Sequence, residues 1–159
     1  MGEDLTDIGL LLRREMEAAV AGPLIKAFVQ EFGQAKTAKI VERVIQSLAR
    51  KSGSQLAMVI GGNNIEYLAK AFQLLSQDNI LEQEIIEQNS TKLYINCTKC
   101  RFVDMYDELD MPELGYLLSC NRDFAMTEGF NPKIKLTRTQ TIMEGANYCD
   151  FRFHFEGGE

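Results

Sequence analysis

The sequence predicts an α+β fold, an antiparallel sheet of about four strands in two hairpins with helices packed over one face. Three observations carry this reading. Apolar residues in the first half of the 159-residue chain recur at three- and four-residue spacing, the helical period. Two segments of the second half, near 80–98 and 133–155, change to two-residue alternation, and each is broken by a short turn. A further helical pair lies between them, so the order is helices, hairpin, helices, hairpin.

The first helix is predicted from Asp7 to Phe32, where Leu11, Leu12, Met16, Val20, Leu24 and Phe28 recur at helical spacing. Pro23 removes a backbone donor inside this run, so Gly22-Pro23 marks either a kink or a junction of two helices. Gly33 is the expected stop. A second helix, Thr37 to Ala49, gathers Ile40, Val41, Val44, Ile45 and Leu48 on one face and is expected to end at Ser52-Gly53. Gln55 to Ile60 reads equally as its continuation or as a short buried strand. Gly61-Gly62-Asn63-Asn64 then breaks the chain, and Ile65 to Leu75 resumes helical spacing. The glycine pair lacks the lysine and the spacing of a phosphate loop, so a plain turn is expected.

After Asp78-Asn79, Ile80 to Glu87 and Lys92 to Thr98 read as two strands joined through 88–91, with Leu93, Ile95 and Cys97 on one side. Phe102 to Leu109 and Pro112 to Met126 read as helices, the second opened by its proline. The last hairpin is Lys133 to Ile142 and Tyr148 to Phe155, closed by a short loop at Met143-Glu144-Gly145-Ala146. The whole, 1–159, is expected to be one domain, helical over about 5–76 and α+β over about 80–156.

Composition narrows the function. A formal charge of −6 and the absence of any Lys/Arg cluster argue against a nucleic-acid partner. No apolar run approaches the roughly 20 residues of a membrane span, and the acidic start MGEDLTDIG is unlike a secretory signal, so a cytoplasmic protein is expected. The four cysteines then read as thiols rather than disulfides. His154 is the only histidine, which excludes any metal site built on two imidazoles.

The strand parity places the chemistry. Arg138 and Gln140 share a face with Ile134, Leu136 and Ile142, so a guanidinium is expected beneath the helices. If 142 faces 147, Gln140 lies opposite Cys149 and Arg138 opposite Phe151, which brings a cation, an amide and a thiol together. The alternative is a structural ion pair between Arg138 and Asp123 or Glu113. Asp150, Arg152 and His154 fall on the outer face. Cys120 and Asp123 stand one helical turn apart and can point together into a cavity. Cys97-Thr98-Lys99-Cys100 is a CxxC without the second pair a zinc knuckle needs, although Cys100 stands before a predicted helix, whose N-terminus would lower a thiol pKa.

The run Leu117-Leu118-Ser119-Cys120-Asn121-Arg122-Asp123, then Asn131 to Gly145 and Cys149-Asp150-Phe151, resembles the L-2-amino-thiazoline-4-carboxylic acid hydrolase family. That resemblance implies opening of a cyclic amidine, a thiazoline bearing a carboxylate, to an N-carbamoyl cysteine. It implies catalytic roles for Cys149, Cys120 and Asp123, and substrate contacts from Arg138, Gln140 and Thr141, with no cofactor and no metal. The closing hairpin is more distantly similar to small-molecule-binding domains of the 4-vinyl-reductase type, some of which hold zinc through a Glu-x-x-Cys pattern. Here Arg138 and Thr141 occupy those two positions, and a guanidinium cannot ligate zinc. The expected partner is thus a small molecule, either a substrate or the ligand of a non-catalytic binding domain; self-association is left open.

Overall fold

The structure, a computed structural model, describes residues 8–76 and 79–157. Helix α1 spans Leu10–Phe32, α2 Gln34–Ile60 and α3 Ile65–Leu75. Strands β1 (Leu81–Gln88) and β2 (Lys92–Cys100) form the first hairpin, and α4 (Arg101–Glu108) follows directly. A single turn at Pro112–Leu114 and a π-helical turn at Tyr116–Cys120 lead into α5 (Arg122–Phe130), after which come β3 (Ile134–Thr137) and β4 (Cys149–Phe155). The four strands form one antiparallel sheet in the order β1-β2-β4-β3, so the hairpins join through β2 and β4. This is the α+β architecture expected. Asp7 and Asp78, the expected start of the first helix and one of the break residues, lie outside the described residues.

Helix α1 runs through Pro23 as a single helix, not two joined there. Three element boundaries differ from the sequence reading. Helix α2 does not stop at Ser52-Gly53 but continues to Ile60, so Gln55 to Ile60 is helical. The reason is tertiary: a Cβ on Gly53 would stand 2.1 Å from the Met126 carbonyl oxygen, and one on Gly129 would stand 2.0 Å from that of Arg50. These glycines let α2 and α5 cross in backbone contact; they are spacers rather than stops. Arg50 to Glu128 (2.7 Å) and Ser54 Oγ donating to the Gly129 carbonyl (2.9 Å) fasten the same crossing. For the same reason α5 passes Gly129 and ends at Phe130.

The third difference lies in the last hairpin. The ladder pairs Ile134 with Phe155 and Thr137 with Arg152, the register anticipated, but β3 ends at Thr137 instead of reaching Ile142. The Asp150 carboxylate takes over, accepting the Thr139 and Gln140 amides at 2.9 Å each and the Thr139 hydroxyl at 2.6 Å. The connection is therefore a loop from Arg138 to Tyr148, containing a short turn at Ile142–Glu144 that closes on Gly145 at φ 96°.

Two apolar clusters result. In one, α3 lays Ile65, Leu68 and Phe72 against Leu93, Ile95, Phe151 and Phe153 on the inner face of the sheet. Phe72 meets the two phenylalanine rings edge-on at 5.6 and 5.1 Å. The other gathers Ala18 and Ile25 of α1 with Met105, Tyr106, Met111 and Leu118. On the outer face Arg152 donates to the Ile95 carbonyl and to Asn96, and His154 lies 3.0 Å from the Tyr94 hydroxyl. These outward residues stand where parity put them.

Candidate functional site

Between the two clusters lies a cavity of about 140 Å³. Its floor is the inner face of β2 and β4, carrying Cys97, Cys149 and Phe151; its far wall is Ser119, Cys120, Asp123 and Met126; Arg138 closes one side. All four cysteines line it, each a free thiol.

Arg138 is held by its whole surroundings. Its guanidinium donates to Asp123 Oδ2 and, at 3.2 Å, to the Cys120 carbonyl. It also stands over the rings of Phe124 (5.0 Å), Phe151 (5.5 Å) and Tyr116 (5.8 Å). With 2% of its side chain exposed, this cation is buried and paired, and its partner is Asp123; Glu113 pairs with Lys26 instead, at 3.2 Å. Burial pushes the Asp123 carboxyl up to about 6, against the pull of Arg138 and Arg122.

The thiols divide sharply. Cys97 and Cys149 are cross-strand partners on β2 and β4. Cys149 is lowered to about 7 by neighbouring Cys97, by the Ile142 amide donating to its sulfur at 3.2 Å and by Arg138, against the cost of burial. Cys97 moves strongly the other way: Cys149 and burial both raise it, and its thiol also lies 3.1 Å from the Lys99 carbonyl oxygen. Burial raises Cys120, and Asp123 raises it further. Cys100 stands before α4, a place where a helix N-terminus can lower a thiol pKa. Burial instead pushes it up to about 11, because desolvation outweighs the amides of Phe102 and Val103. Cys149 is therefore the thiol most readily ionised.

The expected residues converge only in part. Cys149, Cys120, Asp123 and Arg138 meet at the cavity. Gln140 and Thr141 are not among its lining residues: Gln140 donates from Nε2 to the Tyr148 carbonyl at 2.9 Å, and buried Thr141 caps the turn by bonding Glu144. The continuous helix expected from Pro112 to Met126 is replaced around Tyr116–Cys120 by a π-turn, in which the Asn121 amide reaches back to the Tyr116 carbonyl at 2.8 Å. This extra residue sits directly before α5, a device frequent at functional sites.

The sequence reading missed Arg14 and Arg122, which also line the cavity. Both bond Glu17, at 2.5 and 3.5 Å, and Arg122 donates from Nε to the Leu118 carbonyl at 2.9 Å. Arg122 lay within the motif as a charge beside Asp123. Arg14 comes from α1, with no local signal to link it to a site more than a hundred residues on. Among the described residues, no three His, Cys, Asp or Glu side chains are arranged to hold a metal ion. No helix among them is long and apolar enough to cross a membrane.

A buried ion pair and a polarised thiol thus line one cavity of an α+β fold. The family model described as L-2-amino-thiazoline-4-carboxylic acid hydrolase matches residues 13–153, and the chain belongs to that family. No curated protein matches. Among solved structures, the chain is similar to the phenol-responsive sensory domain of the transcription activator PoxR with phenol, at TM-score 0.56 and 10% identity over 87% of this chain and 74% of that one. It is also similar to a trafficking protein particle complex subunit 3 from Naegleria fowleri covalently bound to palmitic acid, at TM-score 0.56 and 9% identity over 92% and 96%. At such identities the likeness is one of fold.

Proposed function

We propose that the chain hydrolyses a small cyclic amidine bearing a carboxylate, of the 2-amino-thiazoline-4-carboxylate type. The observation that carries this reading is the meeting of Cys149, the thiol lowered to about 7, with the Arg138–Asp123 pair in one cavity. The size agrees: a dry cavity of about 150 Å³ takes a single six-membered ring, whereas drug-sized ligands fill ~300 Å³ or more. One substituted ring fits the about 140 Å³ here.

In this reading the guanidinium of Arg138 anchors the substrate carboxylate, sharing it with Asp123. The Cys149 thiolate adds to the amidine carbon, and the ring C–S bond breaks with its electron pair on sulfur, which takes a proton. Water then adds to the S-linked isothiourea, Cys149 is expelled as thiolate, and an N-carbamoyl cysteine is released with one water consumed. Asp123, raised to about 6, is suited to carry protons to and from the ring nitrogen near neutral pH. Cys120, on the far wall, shapes the cavity opposite the nucleophile.

One observation favours a second reading, a non-catalytic binding domain. Arg138 is already satisfied by Asp123, the Cys120 carbonyl and three rings, an arrangement suited to holding a ligand without turnover. The similar domain of PoxR is described as sensory and phenol-responsive. Incubation of the purified protein with 2-amino-thiazoline-4-carboxylate separates the two. Hydrolysis predicts N-carbamoyl cysteine by mass spectrometry, lost in Cys149→Ser and Arg138→Ala. A folded protein whose melting temperature rises with ligand while no product forms is the binding domain instead.

A further inference from the structure

The helical stripe that reads as a core face in the sequence is largely outside. In α1 the buried residues are Ala18, Gly22 and Ile25, while Met16, Val20, Leu24, Phe28 and Phe32 all face solvent, Val20 at 68% exposure. Ile40, Val44 and Leu48 of α2 are half exposed in the same way. Between the two ridges runs an apolar groove of about 420 Å³, floored by Ile25, Val41, Ile45 and Leu118. Each ridge repeats every fourth residue, the spacing at which ridges of one helix enter grooves of another.

We infer that this face is the interface of a two-fold homodimer, in which the α1 ridge of each copy seats in the α1–α2 groove of the other. Area points to a second copy. Eight large apolar side chains, each leaving on the order of 100 Å² in water, present about 800 Å² per chain, the share each partner contributes to a stable interface. The largest apolar patch of a typical monomer is about 300–600 Å². Charge points the same way. The exposed charges of α1 are Glu15, Glu17 and Glu31 against Arg13, and those of α2 are Lys36, Lys39, Arg43, Arg50 and Lys51 against Glu42, so laying α1 on a partner's α2 opposes net acid to net base. A two-fold axis makes this contact twice. The net charge of −6 disfavours the alternative occupant, an anionic membrane surface.

Sedimentation equilibrium of the full chain across micromolar concentrations is the test. It should return about twice the 18.0 kDa chain mass. Val20→Glu and, independently, Val44→Glu should shift the protein to monomer with an unchanged circular dichroism spectrum, since both side chains are already about half or more in water. Ile86→Glu, on the exposed face of edge strand β1, should remain dimeric. A monomeric wild type, dimers that survive both ridge substitutions, or a wild type that sediments with phosphatidylserine vesicles as a monomer would each overturn the inference.

Discussion

Arg138 and Asp123 form one unit, and removing either half has an asymmetric cost. Arg138→Ala leaves a carboxylate without its cation and three rings without their guanidinium, for a loss of about 3 kcal/mol in urea unfolding at pH 7. Asp123 keeps its proton more tightly in the folded chain, at about 6, than its ordinary 3.8. Its contribution to stability is therefore present below about pH 4 and is lost as pH rises through 6. Asp123→Asn should flatten the wild-type dependence of the urea midpoint between pH 4 and 6. A carboxylate ligand competes with ionised Asp123 for Arg138, so its affinity should rise as pH falls through 6, read by calorimetric titration. Cys149 is the complementary case. Its alkylation by iodoacetamide should rise with pH to half-maximal rate near 7, and Cys97→Ala should move that midpoint upward, because the Cys97 thiol beside it is the largest influence lowering it.

The elements are placed by contacts that composition does not display. Gly53 and Gly129 resemble helix stops in isolation, yet each lies where the other helix's backbone passes within 2.0–2.1 Å of an added Cβ. Gly129→Ala, harmless to an isolated helix, should cost about 2–3 kcal/mol and lower the melting temperature by several degrees, through separation of α2 from α5. The floor of the cavity was legible: alternation in β2 and β4 puts Cys97, Cys149, Phe151 and Phe153 inward, and the 2.0-residue period leaves no other choice once one face is buried. The register of β3 was legible too, but its length was not. Asp150, an outward residue by parity, reaches across to the Thr139 and Gln140 amides and turns the chain out of the ladder. Gln140 thereby leaves the cavity that its parity implied.

At the scale of the molecule, the cavity volume sets what the protein can hold. A single ring with a carboxylate should raise the melting temperature by several degrees at saturating concentration, whereas palmitate, whose chain exceeds about 140 Å³, should not. Differential scanning fluorimetry with both ligands checks this, and a palmitate shift equal to that of the ring compound would show that the cavity opens further than its walls indicate.

The sequence by itself determined the periodic elements, the order of the two hairpins, the inward parity of Arg138 and Cys149 and the family, because each is written in local spacing or in a contiguous motif. Only the tertiary structure decided which carboxylate Arg138 takes, which thiol is polarised, and that Arg14 from the first helix reaches the same cavity as Arg122. It alone decided that the apolar stripe of α1 lies outside. A helical period tells that a face is apolar, not what covers it, and a thiol's pKa is set by neighbours brought from distant strands.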